Sequence, residues 1–82
     1  MNIKNFIKKH RVKERDWFKN YLEYADYNEE YTINNVYMLY DDEYKYCLVC
    51  LLNNNDEIVE DAILTSKKAD ELFIYLTKKD MK

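Results

Sequence analysis

The sequence contains no glycine and no proline, two residues that together average about 12% of a protein. Without glycine there is no phosphate-cradling glycine loop, and nucleotide sites built on one are excluded. Turns must then be made by Asn and Asp, the other residues that tolerate a left-handed backbone. Histidine occurs once, as His10 within Lys8-Lys9-His10-Arg11. Its neighbours are cationic, and local spacing supplies no Ser, Cys or carboxylate partner for catalysis. Cysteine occurs twice, as Cys47 and Cys50. On a strand, residues three apart point to opposite faces, so these thiols cannot converge on one ion. They are expected to be buried, reduced and structural, as small hydrophobes are. No apolar run approaches the length of a membrane span, and no signal-type stretch opens the chain. These absences lead to the expectation of a soluble cytoplasmic protein with no membrane association, no catalytic residue, no metal and no cofactor.

What is present is an 82-residue chain, 48% hydrophobic and 35% charged, a globular composition and not a disordered one. The expectation is a single domain over residues 1–82. A domain this short buries only roughly 60–65% of its unfolded surface, so its stability margin is thin and a homodimer is among the assemblies it could form. Charge is segregated. Residues 1–20 carry seven Lys and Arg against Glu14 and Asp16, a balance of +5. Residues 21–65 carry eleven acidic residues against Lys45 alone, a balance of −10. Residues 66–82 carry five Lys against three acids, a balance of +2, and the whole comes to −3. An acidic middle therefore stands between two basic ends.

The stretch Val36 to Leu52 organises the rest. Two aromatic and β-branched runs flank Asp41-Asp42-Glu43, the pattern of paired strands around a turn. Cys47 to Leu52 is apolar on both parities, as in a strand covered on both faces, and is expected to be the middle strand. Before it, Tyr31 to Tyr40 reads as one strand, with Asn34-Asn35 marking a bulge or a late strand start and Asn28 to Glu30 a polar connection. After it, Asn53-Asn54-Asn55-Asp56 is a turn of the kind Asn suits, and Glu57 to Leu64 is the third strand. Thr65-Ser66 signals a helix start, and Ala69, Leu72, Phe73 and Leu76 form an amphipathic stripe. At the N-terminus, Ile3, Phe6, Ile7, Trp17, Phe18, Tyr21, Leu22 and Ala25 fall within an arc of about 160°, so one helix of roughly 35 Å is allowed. Val12 lies off that stripe and Asp16 is a cap candidate, which favours two segments with a break near Val12. The expected fold class is α+β: a three-stranded antiparallel β-meander flanked by N-terminal and C-terminal helices in the order α-β-β-β-α, with both helices on one sheet face.

Nine tyrosines are the compositional anomaly, and eight of them lie between residues 21 and 46. Tyrosine buries a ring while keeping a polar tip, and is enriched at interfaces. The plain alternative is that each ring covers the edge of a small core and shows its hydroxyl to water. Tyrosines mixed with carboxylates on an outer sheet face suggest a binding surface. The candidate partner-binding residues are Tyr40, Asp41, Asp42, Glu43, Tyr44, Tyr46, Asp56, Glu57 and Glu60. The expected partner is a host or defence protein with a basic nucleic-acid site. Direct attachment to nucleic acid is the alternative, through Lys8, Lys9, Arg11, Lys67 and Lys68, although the acidic middle opposes it. A structural or oligomerising domain is a third reading.

Two resemblances bear on these alternatives. Ser66-Lys67-Lys68-Ala69, at the head of the last helix of an α-β-β-β-α order, resembles the double-stranded-RNA-binding domain. That likeness implies lysines on RNA phosphates across the major groove, although the family's glycine- and proline-bearing loop has no counterpart here. The chain as a whole, short, acidic, rich in Asn and Tyr and opening Met1-Asn2-Ile3-Lys4-Asn5, resembles small phage-encoded anti-CRISPR and other anti-defence inhibitors. This second likeness implies carboxylates presented in place of DNA phosphates, and action in the host cytoplasm.

Overall fold

Asn34 and Asn35 both adopt a left-handed backbone, at φ 51° and 64°. Two consecutive left-handed residues make the tight turn whose twist matches paired antiparallel strands. The turn divides the expected first strand into β1 (Tyr27–Ile33) and β2 (Val36–Asp41), closed by the pair Ile33↔Val36. They continue into β3 (Tyr46–Leu52) and β4 (Ile58–Thr65). The computed structural model, which describes residues 2–13, 27–41 and 45–80, is thus an antiparallel sheet in the order β1-β2-β3-β4, with helices α1 (Ile3–His10) and α2 (Ser66–Asp80). The fold class is α+β as expected, but the sheet has four strands and not three. The polar stretch Asn28 to Glu30 is part of β1 and not a connection.

Local chemistry sets the other boundaries. Asn2 caps α1, its side chain accepting from the Asn5 N–H at 3.0 Å. The helix stops after His10, and Arg11 turns to an extended backbone at ψ 140° while its N–H still donates to the Ile7 carbonyl. One helix over residues 2–25 is therefore excluded. The second segment expected near Asp16 to Ala25 lies outside the described residues. Past α1, the Val12 N–H donates to the Ile63 carbonyl at 2.8 Å, joining this segment to the β4 edge. Between β3 and β4 the Asn53 side chain accepts from the N–H groups of Asn55 and Glu57 at 2.8 and 3.0 Å. The left-handed residue of that turn is Asp56, at φ 61°. Thr65 caps α2, its hydroxyl accepting from the Lys68 N–H at 3.4 Å.

The core lies between the two helices and one sheet face. Val36, Met38 and Tyr40 of β2, Cys47, Val49 and Leu51 of β3, and Ala62 and Leu64 of β4 are buried with Ile7 of α1 and Ala69, Leu72 and Leu76 of α2. Both helices dock on this face, as the apolar stripe of α2 required. The opposite face departs from expectation. At its centre the register places Leu39, Leu48, Cys50 and Ile63. Ile63 is 0% exposed and Cys50 is buried. The centre of this face is apolar, with Leu39 and Leu48 half-buried beside Cys50 and Ile63, and its margins are polar, with Glu30, Thr32, Asp61 and Thr65 exposed.

The thiols divide between the faces as their spacing required, Cys47 in the helix-covered core and Cys50 opposite, both free. Burial pushes the Cys47 thiol up to about 12 from 9.0. The sign follows from linkage: the unfolded chain loses this proton first, so stability is full below about pH 9 and falls as pH rises towards 12. Three pH units of difference correspond to about 4 kcal/mol as a ceiling. Alkaline denaturation followed by circular dichroism should show this loss, and Cys47→Ala should flatten it. An unchanged pH profile in that variant would remove Cys47 as the cause.

Candidate functional site

On the helix-covered side, β1, β2 and α2 enclose a hollow of about 280 Å³ lined by Glu29, Tyr31, Tyr40, Asp70 and Phe73. Strand geometry explains the first three. Glu29 and Tyr31 are two residues apart on β1 and share a face, and the register sets Glu29 opposite Tyr40. Asp70 and Phe73 are three apart on α2 and so neighbour each other on the helix surface.

The tyrosine hydroxyls are tied to carboxylates. Tyr40 donates to Asp70 Oδ1 at 2.8 Å, and Tyr31 donates to Glu29 Oε2 at 2.6 Å. The Tyr31 ring meets Phe73 edge-on at 4.9 Å between centroids and Tyr40 at 6.1 Å. These are the separations of favourable aromatic pairs. Burial, then the bond to Asp70, pushes the Tyr40 phenol far above its ordinary value, so it remains a proton donor throughout the physiological range. A third pair, Tyr37 to Glu30 Oε2 at 2.7 Å, lies on the exposed side of the β1–β2 hairpin. There the hydrogen bond to Glu30 is the main reason the Tyr37 hydroxyl is raised.

The structure redistributes the acidic residues named from sequence. Tyr40 is 5% exposed, on the core face, and is the floor of the hollow rather than an exposed anchor. Asp41 is 4% exposed and accepts from the Lys45 N–H at 2.9 Å. It is a structural carboxylate and not a solvated turn tip. Asp42, Glu43 and Tyr44 lie outside the described residues. Tyr46 is half-buried at the start of β3, Asp56 and Glu57 are exposed in the β3–β4 turn, and Glu60 is half-buried on β4 opposite Leu51. β3 runs between Tyr46 and that turn, and its seven residues span roughly 23 Å. Asp41 and the Asp56–Glu57 pair are consequently held at opposite ends of the sheet and do not form one surface.

The basic set is drawn closer together. Lys8 and Lys9 are exposed on the last turn of α1, with Arg11 just beyond it. The bond from Val12 to Ile63 brings that end towards the β4–α2 junction, where Lys67 is exposed. Lys68 is engaged at 3.0 Å with Glu71. His10 packs against Phe6 with the rings tilted, 4.7 Å between centroids.

Sequence reasoning missed Glu29, Tyr31, Asp70 and Phe73. The available signals were the Glu-x-Tyr spacing on one strand face and the Asp-x-x-Phe spacing on one helix face, which nothing local connects. Among the described residues no group of three or more His, Cys, Asp or Glu is gathered as a metal site, and no helix is long and apolar enough to cross a membrane. Compared with known proteins, the chain matches no family model, no curated protein and no solved structure.

Proposed function

We propose that this chain is a non-enzymatic binding protein, an inhibitor of the anti-CRISPR or related phage anti-defence type. It occupies a basic nucleic-acid site on a host or defence protein in the host cytoplasm. The observation that carries this reading is the hollow, where the carboxylates of Glu29 and Asp70 stand beside the aromatic side chains of Tyr31, Tyr40 and Phe73. A surface of this kind attracts a basic site at long range, raises the association rate and weakens with salt. Affinity would come from a few aromatic anchors. With Tyr40 buried, Tyr31 and Phe73 take that role, and Asp56 and Glu57 extend the negative field at the far end of the sheet.

The test begins with a partner isolated from the native host and its affinity measured across salt concentrations. Glu29→Lys with Asp70→Lys should weaken binding by tenfold or more, the scale of about 1.4 kcal/mol. Lys8→Glu with Lys9→Glu should change it little. Stronger dependence on the two lysines than on the two carboxylates would overturn the reading.

Direct binding to nucleic acid has one observation in its favour, the approach of Lys8, Lys9 and Arg11 to the β4–α2 junction that carries Lys67 and Lys68. On that reading each lost phosphate contact lowers affinity and flattens the salt dependence by about one unit of slope.

A further inference from the structure

We infer that the hollow bounded by β1, β2 and α2 receives a guanidinium group, the head of an arginine side chain presented by the partner. This inference rests on the proposal that the chain binds a basic site, and it specifies the chemistry that the site must offer. Size is the first argument. The hollow holds about 280 Å³, at or below the lower limit of roughly 300 Å³ for pockets that enclose whole small molecules, so it suits a single side-chain head. The walls are the second argument. Tyr31, Tyr40 and Phe73 offer aromatic surface to a cation, which arginine exploits more often than lysine because its flat, weakly hydrated head stacks on rings.

The carboxylates are the third argument. Asp70 is exposed at the rim, and the Tyr40 hydroxyl occupies its Oδ1. A carboxylate accepts at about four lone-pair positions, so this bond leaves Asp70 able to accept from a guanidinium N–H. The buried hydroxyl also fixes the carboxylate's direction before any ligand arrives, which lowers the ordering cost of binding. Glu29 also lines the hollow, and its Oε2 accepts from the Tyr31 hydroxyl. Planar N–H donors that meet the oriented Asp70 carboxylate make charge-assisted hydrogen bonds, the stronger class. No bond is made or broken, and no proton needs to move.

The probe is N-acetyl-arginine methylamide, titrated into the full chain while backbone amide resonances are followed by NMR. Its uncharged isostere, N-acetyl-citrulline methylamide, is the control. Arginine amide should shift the amides of Glu29, Tyr31, Asp70 and Phe73 with an affinity of about 10 mM or better, as a single head group would give. Citrulline amide should leave them in place. Asp70→Asn keeps the shape of an exposed side chain and should weaken the arginine effect by about tenfold. Phe73→Leu should weaken it about threefold. Absent shifts, equal shifts with citrulline, or an unchanged affinity in Asp70→Asn would each overturn the inference. No partner is present in this titration, so its failure leaves the binding proposal to be judged by the partner measurements. Failure of those measurements would leave the affinity of the hollow for guanidinium on record.

Discussion

Leu72→Ala is expected to cost about 2–5 kcal/mol, the range for a fully buried leucine whose cavity only partly collapses. Leu72 is fully buried, on the stripe of α2 that also carries Ala69 and Leu76 and faces β3 and β4. Stability for small domains is of order 5–15 kcal/mol, and a chain of 82 residues sits near the lower end because it buries a smaller share of its surface. The variant should therefore unfold in urea at a markedly lower midpoint with an unchanged slope. Ile74→Ala, on the exposed side of the same helix, should stay within about 0.5 kcal/mol of the parent. Equal losses in the two variants would mean that α2 is not seated on the sheet by this stripe.

Asp41→Lys is expected to cost about 3–5 kcal/mol, the scale for leaving a buried charge without its complement. The carboxylate is buried and accepts the Lys45 N–H. Replacing it with an ammonium removes the acceptor, leaves the amide unsatisfied and buries a cation in its place. Asp41→Asn retains an acceptor oxygen and should cost about 1 kcal/mol. The sequence placed Asp41 in a turn and among the candidate partner-binding residues, a position where charge reversal would leave the fold intact. Denaturant titration of both variants decides the matter. A stability change below about 0.5 kcal/mol in Asp41→Lys would restore the solvated-tip reading.

What the sequence disclosed and what it hid divide along one line, local against non-local. The apolar double parity of β3, the Thr65 cap, the α2 stripe and the opposite directions of the two thiols are properties of neighbouring residues, and each was legible. Asn34-Asn35 was local too, but apolar residues on both sides made it read as an irregularity within one strand. Two left-handed asparagines instead reverse the chain and add a strand. β1 itself is polar at Glu29 and Glu30, so its own propensity is poor. Pairing with β2 and bonds from Tyr31 and Tyr37 to those carboxylates support it. The hollow was hidden because Tyr40 and Asp70 are thirty residues apart in the chain. The candidate residues at Asp41 and at Asp56, Glu57 and Glu60 were adjacent in an argument about composition and are separated by the length of β3.

On the proposed function, the acidic and aromatic side of this molecule, not its basic corner, does the binding. The most direct measurement needs no partner. Labelled duplex DNA and duplex RNA are titrated with the purified chain at near-physiological salt, beside the variant in which Lys8, Lys9, Lys67 and Lys68 are all changed to Glu. No measurable binding of either duplex by the parent chain is expected, since a −10 middle opposes the +5 and +2 ends. Micromolar binding to either duplex that disappears in the lysine variant would contradict it.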